Sequence, residues 1–305
     1  EHYRIHRYLA KGRFEDVSRA SSGMKKTVKM ARIFANTIQP ILLQGESGSG
    51  KTLFAQSIHN ASACAQGPFV TFDCQATYRE NLSVLVRAIR EADMGTVCLD
   101  NIDCLNMTEQ AVLCNFLNRG TVPAGENNVA VPVKARVIAT VIGELGEYVR
   151  EGKIQTKLYY LLAPMCIRLP ALRTYPEDLR KAIDLCLNDS IDRLERYVEL
   201  KEDAQKLLLD YPWPGNYIQL RGFIERLVLT APSRTITASS VQKLLDSLYP
   251  ESICDGIQEE DQPIEKERLI SALRRNVGNR TATAADLKIS KTTLWRKMKK
   301  HGIYN

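Results

Sequence analysis

Gly45-Glu46-Ser47-Gly48-Ser49-Gly50-Lys51-Thr52 lies between an apolar run, Pro40-Ile-Leu-Leu-Gln44, and a segment of helical periodicity, Lys51 to Asn60. The three glycines admit backbone conformations that a side chain would forbid, so successive N–H groups can converge on one centre. Such a ring of amides opening onto a helix N-terminus is a phosphate cradle. The pattern G-x-x-x-x-G-K-T is filled at every fixed position and in the strand–loop–helix context that it requires. Lys51 is placed to neutralise β- and γ-phosphate charge, and Thr52 to offer its hydroxyl to Mg²⁺. Asp100, which ends the run Thr96-Val-Cys-Leu-Asp, is placed to hold that ion through its water shell. The alternative is a glycine-rich turn without a ligand.

Working outward, Phe69-Val-Thr-Phe-Asp, Thr96-Val-Cys-Leu-Asp, Ala135-Arg-Val-Ile-Ala-Thr and Met165-Cys-Ile-Arg-Leu are further short apolar or β-branched runs. Helical patterns separate them at Lys51 to Asn60, Leu82 to Glu91 and Thr108 to Arg119, the last closed by Gly120. Strand alternating with helix predicts a parallel α/β sheet. Gly120 to Pro132 reads as a polar loop. After Pro170 the strands cease, and helices are expected at Pro176 to Leu187, Asp203 to Asp210, Tyr217 to Leu229 and Ala238 to Leu248. Tyr249 to Pro263 has Pro, Gly and an acidic run with little apolar content, as a linker does.

The 305 residues, 44% hydrophobic and 25% charged, have ordinary globular composition and suffice for two or three domains. No run approaches the roughly 18 apolar residues that span a bilayer, and no apolar signal core opens the chain. A cytoplasmic protein without membrane partners is expected. The chain opens at Glu1 rather than Met, which suggests a piece whose upstream part, a sensory module for example, lies outside it. Eight cysteines are scattered without a Cys-x-x-Cys pair, and only four histidines accompany them, so reduced buried thiols are expected rather than a metal site. The net charge of +7 is localised: residues 265–305 hold 11 Lys+Arg against three Asp+Glu, leaving 31 basic and 32 acidic residues elsewhere. A cationic block that also folds points to a polyanion.

Gly45 to Asn60, Gly95 to Asp100, Leu169 to Leu179 and Trp213 to Asn216 resemble the AAA+ central domain of sigma-54-dependent bacterial enhancer-binding transcription regulators. The lead-in Arg13-Phe-Glu-Asp and the run Phe54 to Ser62 are similar to regulators of the propionate-catabolism type, which carry an N-terminal ligand-sensing domain. The resemblance implies an α/β P-loop AAA+ parallel sheet with a helical lid, followed by an all-α helix-turn-helix domain. The expected spans are a remnant of an upstream linker at 1–13, the α/β nucleotide-binding part at 14–170, the lid at 171–249, a linker at 250–263 and the DNA-binding domain at 264–305. It implies ATP or ADP with Mg²⁺ as cofactors. Candidate nucleotide contacts are Gly45, Glu46, Ser47, Gly48, Ser49, Gly50, Lys51, Thr52, Asp100 and Arg173, with Thr52 and Asp100 serving Mg²⁺.

Against the family pattern, several catalytic positions differ. The Glu that polarises the attacking water after the strand-end Asp is Asn101 here, and an amide cannot accept a proton. The two arginines that act across the subunit interface fall at Gln155 and Leu161. The polar pair after Ala139-Thr140 is Val141-Ile142, and the Arg after Trp213-Pro-Gly-Asn216-Tyr is Ile218. Lys157 and Arg221 lie nearby without occupying the family's positions. The sigma-54-contacting motif Gly-Ala-Phe-Thr-Gly-Ala has no counterpart between Cys74 and Gly95. These differences spare phosphate binding and touch groups that act on the transition state or on a partner. A nucleotide-binding regulator with little hydrolysis is expected, the alternative being an active sigma-54-dependent ATPase. Relatives form dimers at rest and larger rings when active; a homodimer is expected here, with RNA polymerase a candidate partner.

Ile264 to Asn276, Thr281 to Leu287 and Lys291 to Lys300 form three helical patterns, the last two joined by the turn at Lys288-Ile-Ser290. The segment resembles the Fis-type helix-turn-helix that ends the same regulators. Ser290 caps the third helix, and Leu294 and Met298 share one face. That leaves Lys291, Thr292, Thr293, Arg296 and Lys300 for the major groove of double-stranded DNA, with Arg280 and Thr281 for its backbone. Trp295 suits either stacking near the duplex or packing on the first helix. A basic helical hairpin for protein contacts is the competing reading.

Overall fold

The computed structural model describes residues 5–8, 10–17, 20–75, 81–124 and 129–249, together with Leu273, Asn276, Arg280 and Thr283. Residues 1–241 form one compact unit and residues 242–305 a second. In chain order the first begins with β1 (Ile5–Tyr8), α1 (Ser22–Ala35), β2 (Ile41–Gln44), α2 (Lys51–Asn60), β3 (Phe69–Asp73), α3 (Asn81–Glu91) and β4 (Thr96–Asp100). It continues through α4 (Met107–Arg119), β5 (Thr121–Ala124), β6 (Val129–Pro132), β7 (Arg136–Val141), α5 (Leu145–Arg150), α6 (Thr156–Leu162) and β8 (Cys166–Arg168).

The five apolar runs become five parallel strands, and the sheet order is β1-β3-β4-β7-β2-β8. Every residue of β2 and of β7 is buried, as expected of strands covered by helices on both faces. One face packs Val70, Leu99, Leu85 and Ile89 against α3 and α4; the other packs Ile41, Leu43, Phe54 and Ile58 beneath α1 and α2.

Three features of this α/β part depart from the sequence reading. The stretch expected to be a linker remnant supplies β1, which pairs antiparallel with β3 from Ile5↔Phe72 to Tyr8↔Phe69. The expected polar loop at 120–132 contains the β5–β6 hairpin, in register from Thr121↔Pro132 to Ala124↔Val129 and anchored by the fully buried Val122. Helix α1 was not anticipated, because only Val28, Ala31 and Ala35 of its lysine-rich length are buried.

The lid follows as α7 (Pro176–Leu194), β9 (Glu199–Leu200), α8 (Glu202–Asp210), α9 (Asn216–Thr230), β10 (Thr235–Ile236) and α10 (Ala238–Leu248). The region was expected to lack strands, yet β9 and β10 pair in parallel over two residues each. Trp213 is fully buried, edge-on to Tyr211 and Phe223 at centroid distances of 4.9 and 5.4 Å, and its Nε1 donates to the Leu208 carbonyl at 2.7 Å.

Candidate nucleotide site

The loop after β2 reaches α2 through Gly50, whose φ of 97° lies in the left-handed region and whose lack of a side chain leaves the first turn of α2 without a side-chain cap. The first N–H groups of α2 are thereby kept for a ligand. The Ser49 hydroxyl is buried in the same loop without a hydrogen-bond partner, a polar group suited to an incoming acceptor such as phosphate. Lys51 Nζ folds back to donate to the carbonyls of Gly45 and Glu46 at 2.7 and 2.9 Å. Burial lowers its pKa, against the opposing charges of Asp100, Asp103 and Glu46. An ammonium so placed gains from an anion that replaces the two carbonyls.

Asp100 ends β4 in register with Asp73 on β3. Its Oδ1 accepts from the Thr140 hydroxyl at 3.1 Å, and that hydroxyl in turn accepts from the Asn101 N–H at 3.2 Å. Burial pushes the Asp100 carboxyl up, the neighbouring Asp73 charge adds to this, and the Thr140 hydrogen bond and Lys51 pull it down without cancelling the rise. A carboxylate held in that condition is relieved by a cation. Together with the exposed Thr52 hydroxyl in the first turn of α2 it offers hard oxygen donors, so the residues fit Mg²⁺ brought with a nucleotide. Among the described residues no group of three or more His, Cys, Asp or Glu side chains is arranged to hold a metal alone.

The lid meets the loop at Glu46. Arg173 reaches it with both guanidinium nitrogens, Nη1 to Oε2 at 2.7 Å. Asn216, fully buried at the start of α9, donates through Nδ2 to Glu46 Oε2 at 3.0 Å and to the Ser47 carbonyl at 2.8 Å, while its Oδ1 accepts from the Leu172 N–H at 2.7 Å. Burial would raise the Glu46 pKa, but the hydrogen bonds from Arg173 and Asn216 and the charges of Arg173 and Lys51 outweigh it and hold the carboxyl below its usual range. The two contacts differ in worth. The Arg173 and Glu46 side chains are 37% and 38% exposed, and an ion pair so solvated contributes about 0.2–1 kcal/mol. Each buried Asn216 hydrogen bond contributes about 0.5–1.5 kcal/mol, and losing one leaves a partner unsatisfied. Asn216 is therefore the stronger half of the latch. Sequence reasoning did not single it out as a site residue; the signal was the Pro-Gly-Asn turn behind a tryptophan. Gly48 lies against the same turn: at φ 72°, a Cβ there would sit 2.3 Å from the Gly215 carbonyl oxygen. A cavity of about 50 Å³ remains between Gly48, Ser49, Leu172, Tyr175 and Asn216.

The other expected positions are occupied by residues with local duties. Gln155 precedes α6 and is tied within this chain, its N–H donating to Gln110 Oε1 at 2.8 Å and its Nε2 to the Met107 carbonyl at 2.8 Å. Leu161 packs on the core, and Val141 is buried in the sheet. Ile218 is 72% exposed on α9. Lys157 is exposed, and Arg221 approaches Asp189 at 3.9 Å. Of the DNA-contact candidates, Arg280 is described as helical and exposed. Thr281, Lys291, Thr292, Thr293, Arg296 and Lys300 lie outside the described residues.

A parallel sheet with a P-loop at the carboxyl end of β2 and a helical lid latched to that loop defines a AAA+ nucleotide-binding module. The chain belongs to the sigma-54 interaction domain family, whose model matches residues 17–172; a AAA+ ATPase lid domain matches 173–252 and the Fis family of bacterial regulatory proteins matches 262–301. It is similar to the PTS-dependent dihydroxyacetone kinase operon regulatory protein of Escherichia coli K12, with 28% identity over 92% of this chain and 46% of the relative. It is also similar to the nitrogen assimilation regulatory protein NtrX of Azorhizobium caulinodans, with 30% identity over 92% of this chain and 68% of that one. Among solved structures, NtrX of Brucella abortus in complex with ATP superposes with a TM-score of 0.70 at 25% identity, covering 94% of this chain and 70% of that one. The same protein in complex with ADP gives 0.68 at 26% identity, covering 94% and 69%. The chain spans about half the length of some curated relatives, 46% and 48% of two operon regulators. No described helix is long and apolar enough to cross a membrane.

Proposed function

We propose that the chain is a DNA-binding transcription regulator whose AAA+ module takes ATP or ADP with Mg²⁺ as a switch or structural ligand and hydrolyses it slowly. The observation that carries this reading is a contrast within one site: Lys51, Ser49 and the open end of α2 stand ready for phosphate, whereas Gln155 and Leu161 are committed to their own subunit. Absence of the water-polarising Glu costs a factor of about 10²–10⁴ in rate, and absence of an interface arginine about 10³–10⁵. Neither loss weakens ground-state binding. The ATP and ADP complexes of NtrX support the choice of ligand, and the Fis-family match supports double-stranded DNA as partner.

With no Gly-Ala-Phe-Thr-Gly-Ala motif before β4, the module regulates a promoter without remodelling sigma-54 polymerase, as a homodimer in the cytoplasm. The test combines the purified chain, ATP, sigma-54 RNA polymerase holoenzyme and a promoter carrying a duplex site selected from a random pool. Sequence-specific binding without ATP-dependent open complexes is expected. Open complexes driven by ATP consumption would restore the alternative, an active sigma-54-dependent ATPase.

A further inference from the structure

Tyr175 is the N-cap residue of α7, and its carbonyl accepts the N–H groups of Asp178 and Leu179 at 3.0 Å each. Asp178 in turn receives the N–H groups of Ala20 and Ser21 at 2.8 and 3.1 Å, which stitches the start of α7 to the start of α1. Across that seam the Tyr175 ring lies against Gly23 in the first turn of α1. A Cβ on residue 23 would fall 2.7 Å from Tyr175 Cε2 and closer still to Cζ and the hydroxyl. Only a glycine leaves the ring that seat. The same tyrosine lines the cavity of about 50 Å³ beside the phosphate loop, together with Gly48, Ser49 and the apolar Met24, Pro170 and Leu172. Among the described residues the buried Ser49 hydroxyl has no hydrogen-bond partner.

A largely apolar cleft that shares two residues with a phosphate cradle suits the base of a bound nucleotide. Its size decides what enters. An engineered apolar cavity of about 150 Å³ takes up benzene, and a purine is larger than benzene, so 50 Å³ does not admit one. The walls differ in freedom: Gly48 and Asn216 are tied together, the Gly48 carbonyl accepting from the Tyr217 N–H at 3.2 Å and Asn216 Nδ2 donating to the Ser47 carbonyl at 2.8 Å. Tyr175 has a pinned backbone but a side chain that can turn about its own bonds. Resting on the nucleotide reading above, we propose that Tyr175 is a specificity-determining gate of the nucleotide site. Its ring, seated on Gly23, stands in the space that a base requires. Base binding turns the ring out, whereas a bare triphosphate reaches the cradle without moving it. The gate therefore lowers affinity for nucleotides, by the fraction of molecules whose ring is turned out, and leaves the affinity for phosphate chains as it is.

The test compares the binding of ATP and of inorganic tripolyphosphate to the full chain by titration calorimetry, with Lys51→Ala as the blank. Tyr175→Ala is expected to tighten ATP about tenfold, the gain when a competent form populated at about one part in ten becomes the only one, and to leave tripolyphosphate unchanged. Gly23→Ala, which suits a helix better than glycine, pushes the ring from its seat and is expected to tighten ATP in the same direction. In the double variant the two gains do not add, because no ring is left to displace. ATP affinity unchanged or weakened by Tyr175→Ala, an equal gain for tripolyphosphate, no gain from Gly23→Ala, or a Gly23→Ala gain that persists without the tyrosine overturns the gate. A wild-type chain that binds neither ATP nor tripolyphosphate overturns the underlying nucleotide reading instead.

Discussion

The two halves of the nucleotide site are built differently. On the lid side, Glu46, Ser47, Leu172, Arg173 and Asn216 are linked by side-chain hydrogen bonds at 2.7–3.0 Å. On the side of β4 and α6, one carboxylate oxygen of Asp103 is left open, and the side chains at 155 and 161 serve the fold. On the proposed reading, the site keeps the geometry that grips a ligand while its means of transforming that ligand are altered, because gripping uses backbone amides and one lysine, and chemistry needs particular side chains.

The largest expected effect comes from breaking the ordered half. Asn216→Ala removes the latch, strands the Leu172 N–H and places alanine at φ 49°, a left-handed position. Chemical denaturation should show a loss of about 2–4 kcal/mol, with weaker ATP binding. Next, ATP at about 100 times its Kd should stabilise the wild-type chain by about 2.7 kcal/mol, and Lys51→Ala should abolish that gain in thermal unfolding without lowering the stability of the free protein. At the DNA end, Arg296→Ala should cost about 1–3 kcal/mol and relax base preference, whereas Lys300→Ala should weaken binding to every duplex and reduce the salt slope by about 1, both read by titration over a range of salt. The smallest effect is Arg173→Ala, which removes a solvated ion pair and should destabilise by no more than about 1 kcal/mol. A larger loss there would reverse the ranking of the two latch residues.

The phosphate half was legible in the sequence because glycine, lysine and threonine must stand at fixed spacing for amides to converge, and the five parallel strands were legible because burial on both faces leaves short runs that are mostly apolar or β-branched. What escaped had weak local signals. Helix α1 owes its place to tertiary contacts: Asp178 on α7 receives the N–H groups of Ala20 and Ser21 at 2.8 and 3.1 Å, 157 or more residues away in the chain. The β5–β6 hairpin has strands of four residues, and Pro123 with Gly125-Glu-Asn-Asn reads locally as loop. Asn216 joins a P-loop 169 residues distant, a pairing that no periodicity encodes.

Titration of labelled ATP with phosphate release followed in the same preparation, with and without cognate DNA, is the most direct trial. Saturable binding that Lys51→Ala abolishes, accompanied by slow release that DNA does not accelerate, is the predicted result. Rapid release stimulated by DNA or by self-association, or no binding at any ATP concentration, would contradict it.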